Sequence, residues 1–109
     1  MLGYVSEREF KLQFEDSFKQ FFKPLCFHAM SFVKDADIAK DIVHDVFLTT
    51  WTQREKIDFT QPMLPYYLSL TRNRSLNYLD HLKVRARHEE NESYKNLLYA
   101  ETDIPNMKN

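Results

Sequence analysis

The chain has 109 residues and a formal net charge of −1, and its 43% hydrophobic composition includes nine Phe, six Tyr and one Trp. That is enough chain and aromatic material for one domain with one core, so disorder throughout is excluded. A single glycine, Gly3, excludes the Gly-rich turns that bring a backbone close to phosphates, and with them the P-loop and dinucleotide-binding enzymes.

The opening residues, MLGYVSEREF, have neither the basic start nor the apolar run of a signal peptide. Ser6 and Glu9 form an S-x-x-E capping box, so residues 1–8 are expected to be an arm and helix cap. Phe10, Phe14, Phe18, Phe21 and Leu25 then recur at spacings of four and three, a helical stripe expected to pack in the core. Pro24 is expected to kink or restart this helix, because proline lacks the N–H that a helix interior uses. Leu25 to Val33 is apolar on most sides and is expected to be central. Cys26 is the only cysteine, so no internal disulfide can form, which suits a reducing cytosol. Its apolar neighbours and lack of an activating base argue against a nucleophile.

Lys34-Asp35-Ala36-Asp37 reads as a turn ending in an aspartate N-cap, either Asp35 or Asp37. The helix that follows runs to about Thr52. At about 100° per residue, Ala39, Ile42, Val43, Val46, Phe47, Thr50 and Trp51 share a buried face, while Asp37, Asp41, His44, Asp45 and Leu48 lie opposite. A leucine ringed by carboxylates reads as a protein contact, an apolar anchor whose charges select a basic partner. Asp41 and His44 also make one D-x-x-H step. Di-metal bundles need two such steps and further carboxylates, and there is no second copy, so no metal or other cofactor is expected.

Residues 54–65 contain two prolines and no clear period, and read as a loop. A third helix is expected from Pro62 or Pro65, with Leu68, Ser75, Leu79 and Leu82 inward and Thr71 and Leu76 beside them. Residues 72–88 carry Arg72, Arg74, Lys83, Arg85 and Arg87 against Asp80 alone, whereas residues 35–51 carry four acids against Lys40. One acidic and one basic helix imply two different partners. On the basic helix Asn73, Asn77 and His81 follow at four-residue steps; amides read base edges and arginines hold phosphates. Phe59, Tyr66 and Tyr67 supply rings on which single-stranded bases stack. Beyond Arg87 the pattern weakens toward a tail with an apolar patch at Leu97, Leu98 and Tyr99. No run reaches the roughly 18 apolar residues of a membrane span.

Two segments in order, AKDIVHDVFLTTW and YLSLTRNRSLNYL, resemble region 2 of the sigma-70 family, most closely its extracytoplasmic-function (ECF) group. That group carries A-E-D-[IL]-V-Q-[ED]-[VT]-F-L-x-x-W and, later, W/Y-L-x-x-[IAV]-x-R/A-N. The resemblance implies an all-α bundle of three to four helices over residues 9–90, and no catalysis. It implies a cytoplasmic factor that docks on the β′ clamp helices of RNA polymerase through Asp41, His44, Asp45 and Leu48. It further implies that the loop near Lys56–Leu64 and the helix residues Arg72, Asn73, Arg74 and Asn77, with Phe59, Tyr66 and Lys83, recognise the non-template strand of the promoter −10 element, one base being flipped out. His44 stands where the group has Gln, and Asp80 where it has Arg, so that one phosphate contact is either lost or moved to Lys83 or Arg85. Residues 91–109 are expected to be a linker-like tail leading toward a region 4 that the chain does not include. The alternative is an interaction module that binds a regulator such as an anti-sigma factor without promoter recognition.

Overall fold

A computed structural model describes the backbone of residues 6–102 and the side chains of residues 6–97. Three α-helices and a short 3-10 turn make up the fold, with no strand among the described residues. It is the all-α helical assembly that the apolar periodicities require.

Helix α1 spans Glu7–Val33. Its capping box forms as expected: the Glu9 N–H donates to Ser6 Oγ at 3.0 Å, and the Ser6 N–H donates to Glu9 Oε1 at 3.4 Å. Pro24 neither ends nor restarts the helix. It lies on an exposed face, as does Gln20, so the Gln20 carbonyl that loses its amide partner can turn to water.

The turn to α2 must bend sharply without a glycine. Lys34 supplies the bend with φ 59° and ψ 27°, the left-handed region, at a cost of about 1 kcal/mol. Asp35 then caps α2 (Ala36–Thr52) by accepting the N–H groups of Asp37 at 2.9 Å and Ile38 at 3.0 Å. Of the two candidate caps, Asp35 is therefore the one used.

The hairpin is zipped by aromatic edges. Phe10 meets Trp51 at 5.7 Å, Phe14 meets Trp51 at 5.1 Å and Phe18 meets Phe47 at 4.9 Å, so α2 runs antiparallel to α1. The α2 stripe Ala39, Ile42, Val43, Val46, Phe47 and Thr50 is buried against Phe10, Leu25, Ala29 and Val33 of α1. The expectation that the whole of 25–33 is central needs correcting. Phe27 is 67% exposed and Met30 36%, because the hairpin covers only the face carrying Leu25, Ala29 and Val33.

After α2 a 3-10 turn at Arg54–Lys56 leads into the proline-bearing loop. Arg54 ties the turn to α1, pairing with Glu7 at 3.2 Å and lying 4.6 Å above the Trp51 ring. Phe59 returns the loop onto α1, edge-on to Phe10 at 4.8 Å. Helix α3 spans Leu64–Thr102, with Pro65 in its first turn, where no intrahelical N–H is needed. Tyr67 is wholly buried between Phe21 and Phe47, and its phenol oxygen accepts a 2.7 Å hydrogen bond from Ser17 across the core. Thr71 and Ser75, one turn apart, are also fully buried.

The chain divides into two compact units at Asn77/Tyr78. The first holds α1, α2, the loop and the opening turns of α3. The second is the remainder of α3, which continues through Thr102 and carries a His88–Glu92 contact of 3.9 Å. Leu82, expected to face inward, is 37% exposed in this single-helix unit. Leu97 of the apolar patch is exposed. The side chains of Leu98 and Tyr99, residues 1–5 of the arm and residues 103–109 of the tail lie outside the described residues.

Candidate functional site

The phase of α2 decides which of its side chains meet solvent. With Val43, Val46 and Phe47 inward, Asp37, Asp41, His44, Asp45 and Leu48 all emerge exposed, Leu48 at 62%. His44 lies over α1's aromatic row, 4.9 Å from Phe22 and 6.1 Å from Phe18. A ring can take that seat by tilted packing against the phenyls, as a glutamine could by its stem.

Asp45 is already engaged. Arg74 of α3 reaches it at 2.6 Å and donates through its other terminal nitrogen to Thr49 Oγ1 at 2.7 Å. The structure thus ties a residue expected to meet polymerase to one expected to meet DNA. Arg74 Nε is buried without a hydrogen-bond partner, so the guanidinium is partly desolvated where it sits. Such a forked contact holds α3 against α2 and leaves Arg74 less free than its neighbours. Arg72, Asn73 and Asn77 are exposed. Thr49 was not singled out in the sequence, although its i+4 position from Asp45 carried the signal.

The loop forms an open pocket of about 270 Å³ against α1, lined by Gln13, Asp16, Gln20, Phe21, Phe59 and Gln61, with Ser17 and Met63. Asp58 shapes the loop, accepting the Thr60 hydroxyl at 2.6 Å and the Thr60 N–H at 3.0 Å; these bonds hold its carboxyl below the usual range. Phe59 contributes to the pocket while half-buried against Phe10, and Tyr66 is half-buried with its hydroxyl 3.4 Å from that of Thr50. Gln13 and Gln20 were missed in the sequence. They sit seven residues apart, two helical turns, beside the Phe14–Phe21 stripe, and only the path of the loop reveals what they face. Lys83 is exposed in the second unit.

Among the described residues no three His, Cys, Asp or Glu side chains converge to hold a metal, and no helix is long and apolar enough to cross a membrane. The fold is an all-α domain with an acid-edged hairpin, an amide-and-phenyl pocket and exposed Arg72 and Asn73 on α3. The Sigma-70 region 2 family model matches residues 18–85, more than half of the sequence, and the chain belongs to that family. It is a family of RNA polymerase sigma factors, which initiate transcription and are not enzymes. Neither the curated proteins nor the solved structures give a match to this chain.

Proposed function

We propose that residues 9–90 form the promoter-recognition domain of an ECF-type sigma factor acting in the cytoplasm. Asp41, His44 and Leu48 dock it on the β′ clamp helices, with Asp45 shared between that surface and Arg74. Asn73 and Asn77 read bases of the −10 non-template strand, Arg72 and Lys83 hold its phosphates, and Tyr66 borders the strand. Arg74 acts by positioning α3.

The observation that carries this reading is the loop pocket. A base leaving the stack forfeits a few kcal/mol, which a receptor recovers through ring contacts and hydrogen bonds to the base edge. Phe21 and Phe59 offer the rings, and Gln13, Gln20 and Gln61 the donor–acceptor pairs. An anti-sigma factor covering either surface would silence the domain.

The test is selection from a randomised single-stranded DNA pool by the chain assembled on RNA polymerase core. A short motif should emerge. Asn73→Ala and Asn77→Ala should each weaken the selected strand by about 1–3 kcal/mol while leaving the starting pool unchanged. Equal losses on both pools would show that the asparagines do not read bases.

A further inference from the structure

The hairpin leaves a second stripe of α1 only partly covered. Phe18, Phe22, Cys26 and Met30, with Phe27 beside them, run along one side of the helix at four-residue steps. They floor a groove of about 560 Å³, walled on the α2 side by Ala36 and Lys40. That volume lies within the range of about 300–1,000 Å³ typical of ligand pockets. Phe27, the most exposed phenyl of the stripe at 67%, stands at its edge.

The charges around the groove have one sign. Lys19 and Lys23, one turn apart on α1, and Lys40 on α2 line it, and no Asp or Glu among the described residues does. This is unusual for a chain of net charge −1 whose α2 carries three acids and is capped by a fourth. Lysines on both walls bracket the apolar floor, so an occupant must be apolar on one stripe and negative on both flanks.

We propose that this groove is a docking site for an acidic amphipathic helix of a partner protein, one that buries a leucine- or phenylalanine-rich stripe against Phe22, Phe27 and Met30 and sets glutamates or aspartates against Lys19, Lys23 and Lys40. The surface is distinct in sign from the acidic face of α2, which selects a basic partner. The two surfaces meet where His44 lies 4.9 Å from Phe22. The groove's concavity fits a helix better than a lipid surface, which takes a convex apolar face.

Cys26, the sole cysteine, lines the groove and serves as a reporter. Burial pushes its thiol above the ordinary range, with Lys40 pulling the other way. A peptide seated in the groove would cover this thiol, so its alkylation reports occupancy.

The probe is an acetylated peptide of about 15 residues with leucines on one helical stripe and glutamates on its flanks, set against the same peptide with lysines for glutamates. In fluorescence anisotropy with the full chain, the acidic peptide should bind saturably and the basic one at least about tenfold more weakly. Lys19→Glu combined with Lys23→Glu, and separately Phe27→Ala, should each cost the acidic peptide at least about tenfold. All three side chains are exposed, and unchanged thermal melts would confirm folding. The acidic peptide should slow Cys26 alkylation and the basic one should not.

Equal affinity for both peptides, or binding by neither, would overturn the proposal. So would loss of acidic-peptide binding in Asp41→Ala, which would put the peptide on the other face. Binding of anionic vesicles that displaces the peptide would assign the groove to lipid instead. A sedimenting dimer that Phe27→Glu dissociates would assign it to a second copy of this chain.

Discussion

The Arg74–Asp45 contact gives the sharpest quantitative test of the fold, because it decides what Arg74 is for. The perturbation is a double-mutant cycle of Arg74→Ala and Asp45→Ala, read by urea denaturation near neutral pH. The pair is close, at 2.6 Å, but the side chains are 34% and 49% exposed, so water screens it. Its coupling energy should fall near the upper end of exposed pairs, about 0.5–1 kcal/mol, well short of the 3–5 kcal/mol lost on breaking a buried pair. The single mutants should not be equal. Asp45→Ala removes only the ion pair and should cost less than about 1 kcal/mol. Arg74→Ala also strips Thr49 of its donor and α3 of a half-buried stem, and should cost about 1.5–2 kcal/mol. Raising salt toward about 1 M should reduce the coupling by screening. A coupling indistinguishable from zero, with the two single mutants equal, would show that Arg74 is not held on α2 in solution. The guanidinium would then be free for a phosphate, and the positioning role would fail.

Two further outcomes follow from the core and the α2 cap. Tyr67→Phe leaves the buried Ser17 hydroxyl without its 2.7 Å partner and should cost about 1–2 kcal/mol in the same denaturation assay. Burial pushes the Tyr67 phenol up to about 12, the Ser17 bond opposing it weakly and Tyr66 adding to it. A folded-state value raised above the unfolded 10.0 means stability intact below pH 10 and lost as pH climbs through 12. The loss approaches about 3 kcal/mol at the top of that window, and Tyr67→Phe should lack that part of the alkaline decline. At the start of α2, Asp35→Ala should cost about 1 kcal/mol, and Asp35→Asn should recover most of it. A neutral Asp35→Ala would mean that the two amides it caps find water instead.

The helical hairpin was legible because its signals are local. A capping box, a phenylalanine stripe and an aspartate cap each fix backbone within a few residues, and α1 and α2 start where they predict. The second stripe on α1 was not. Leu25, Phe27, Ala29 and Met30 look alike in composition, and only the arrival of α2 decides that Leu25 and Ala29 are covered while Phe27 is not. That Pro24 does not restart the helix was hidden for a related reason: its cost depends on whether the orphaned carbonyl faces water, which sequence does not state. On the candidate site, the side of α2 that bears Asp41, His44 and Leu48 followed from helical phase alone. The Arg74 fork and the glutamine pocket required knowing how α3 crosses α2 and where the loop returns. Both are relations between segments far apart in the chain.

That crossing changes how the two proposed surfaces relate. If Asp45 were free, docking and strand reading would be separate tasks performed by α2 and α3. Because Arg74 bridges Asp45 and Thr49, any cation that a partner brings to Asp45 competes with Arg74 for the same carboxylate. A partner that displaces Arg74 pushes a guanidinium, whose Nε is buried and unpaired, toward solvent beside the exposed Arg72 and Asn73. Docking would then add a positive charge to the strand-reading face at the moment a strand must be bound. A partner that spares the bridge, relying on Asp41 and Leu48, leaves that face unchanged. The two cases separate in Asp45→Ala, which frees Arg74 without any partner. Tighter strand binding by the isolated variant, with a steeper salt dependence, supports coupling through Asp45; unchanged strand binding means that the bridge only holds the helices together.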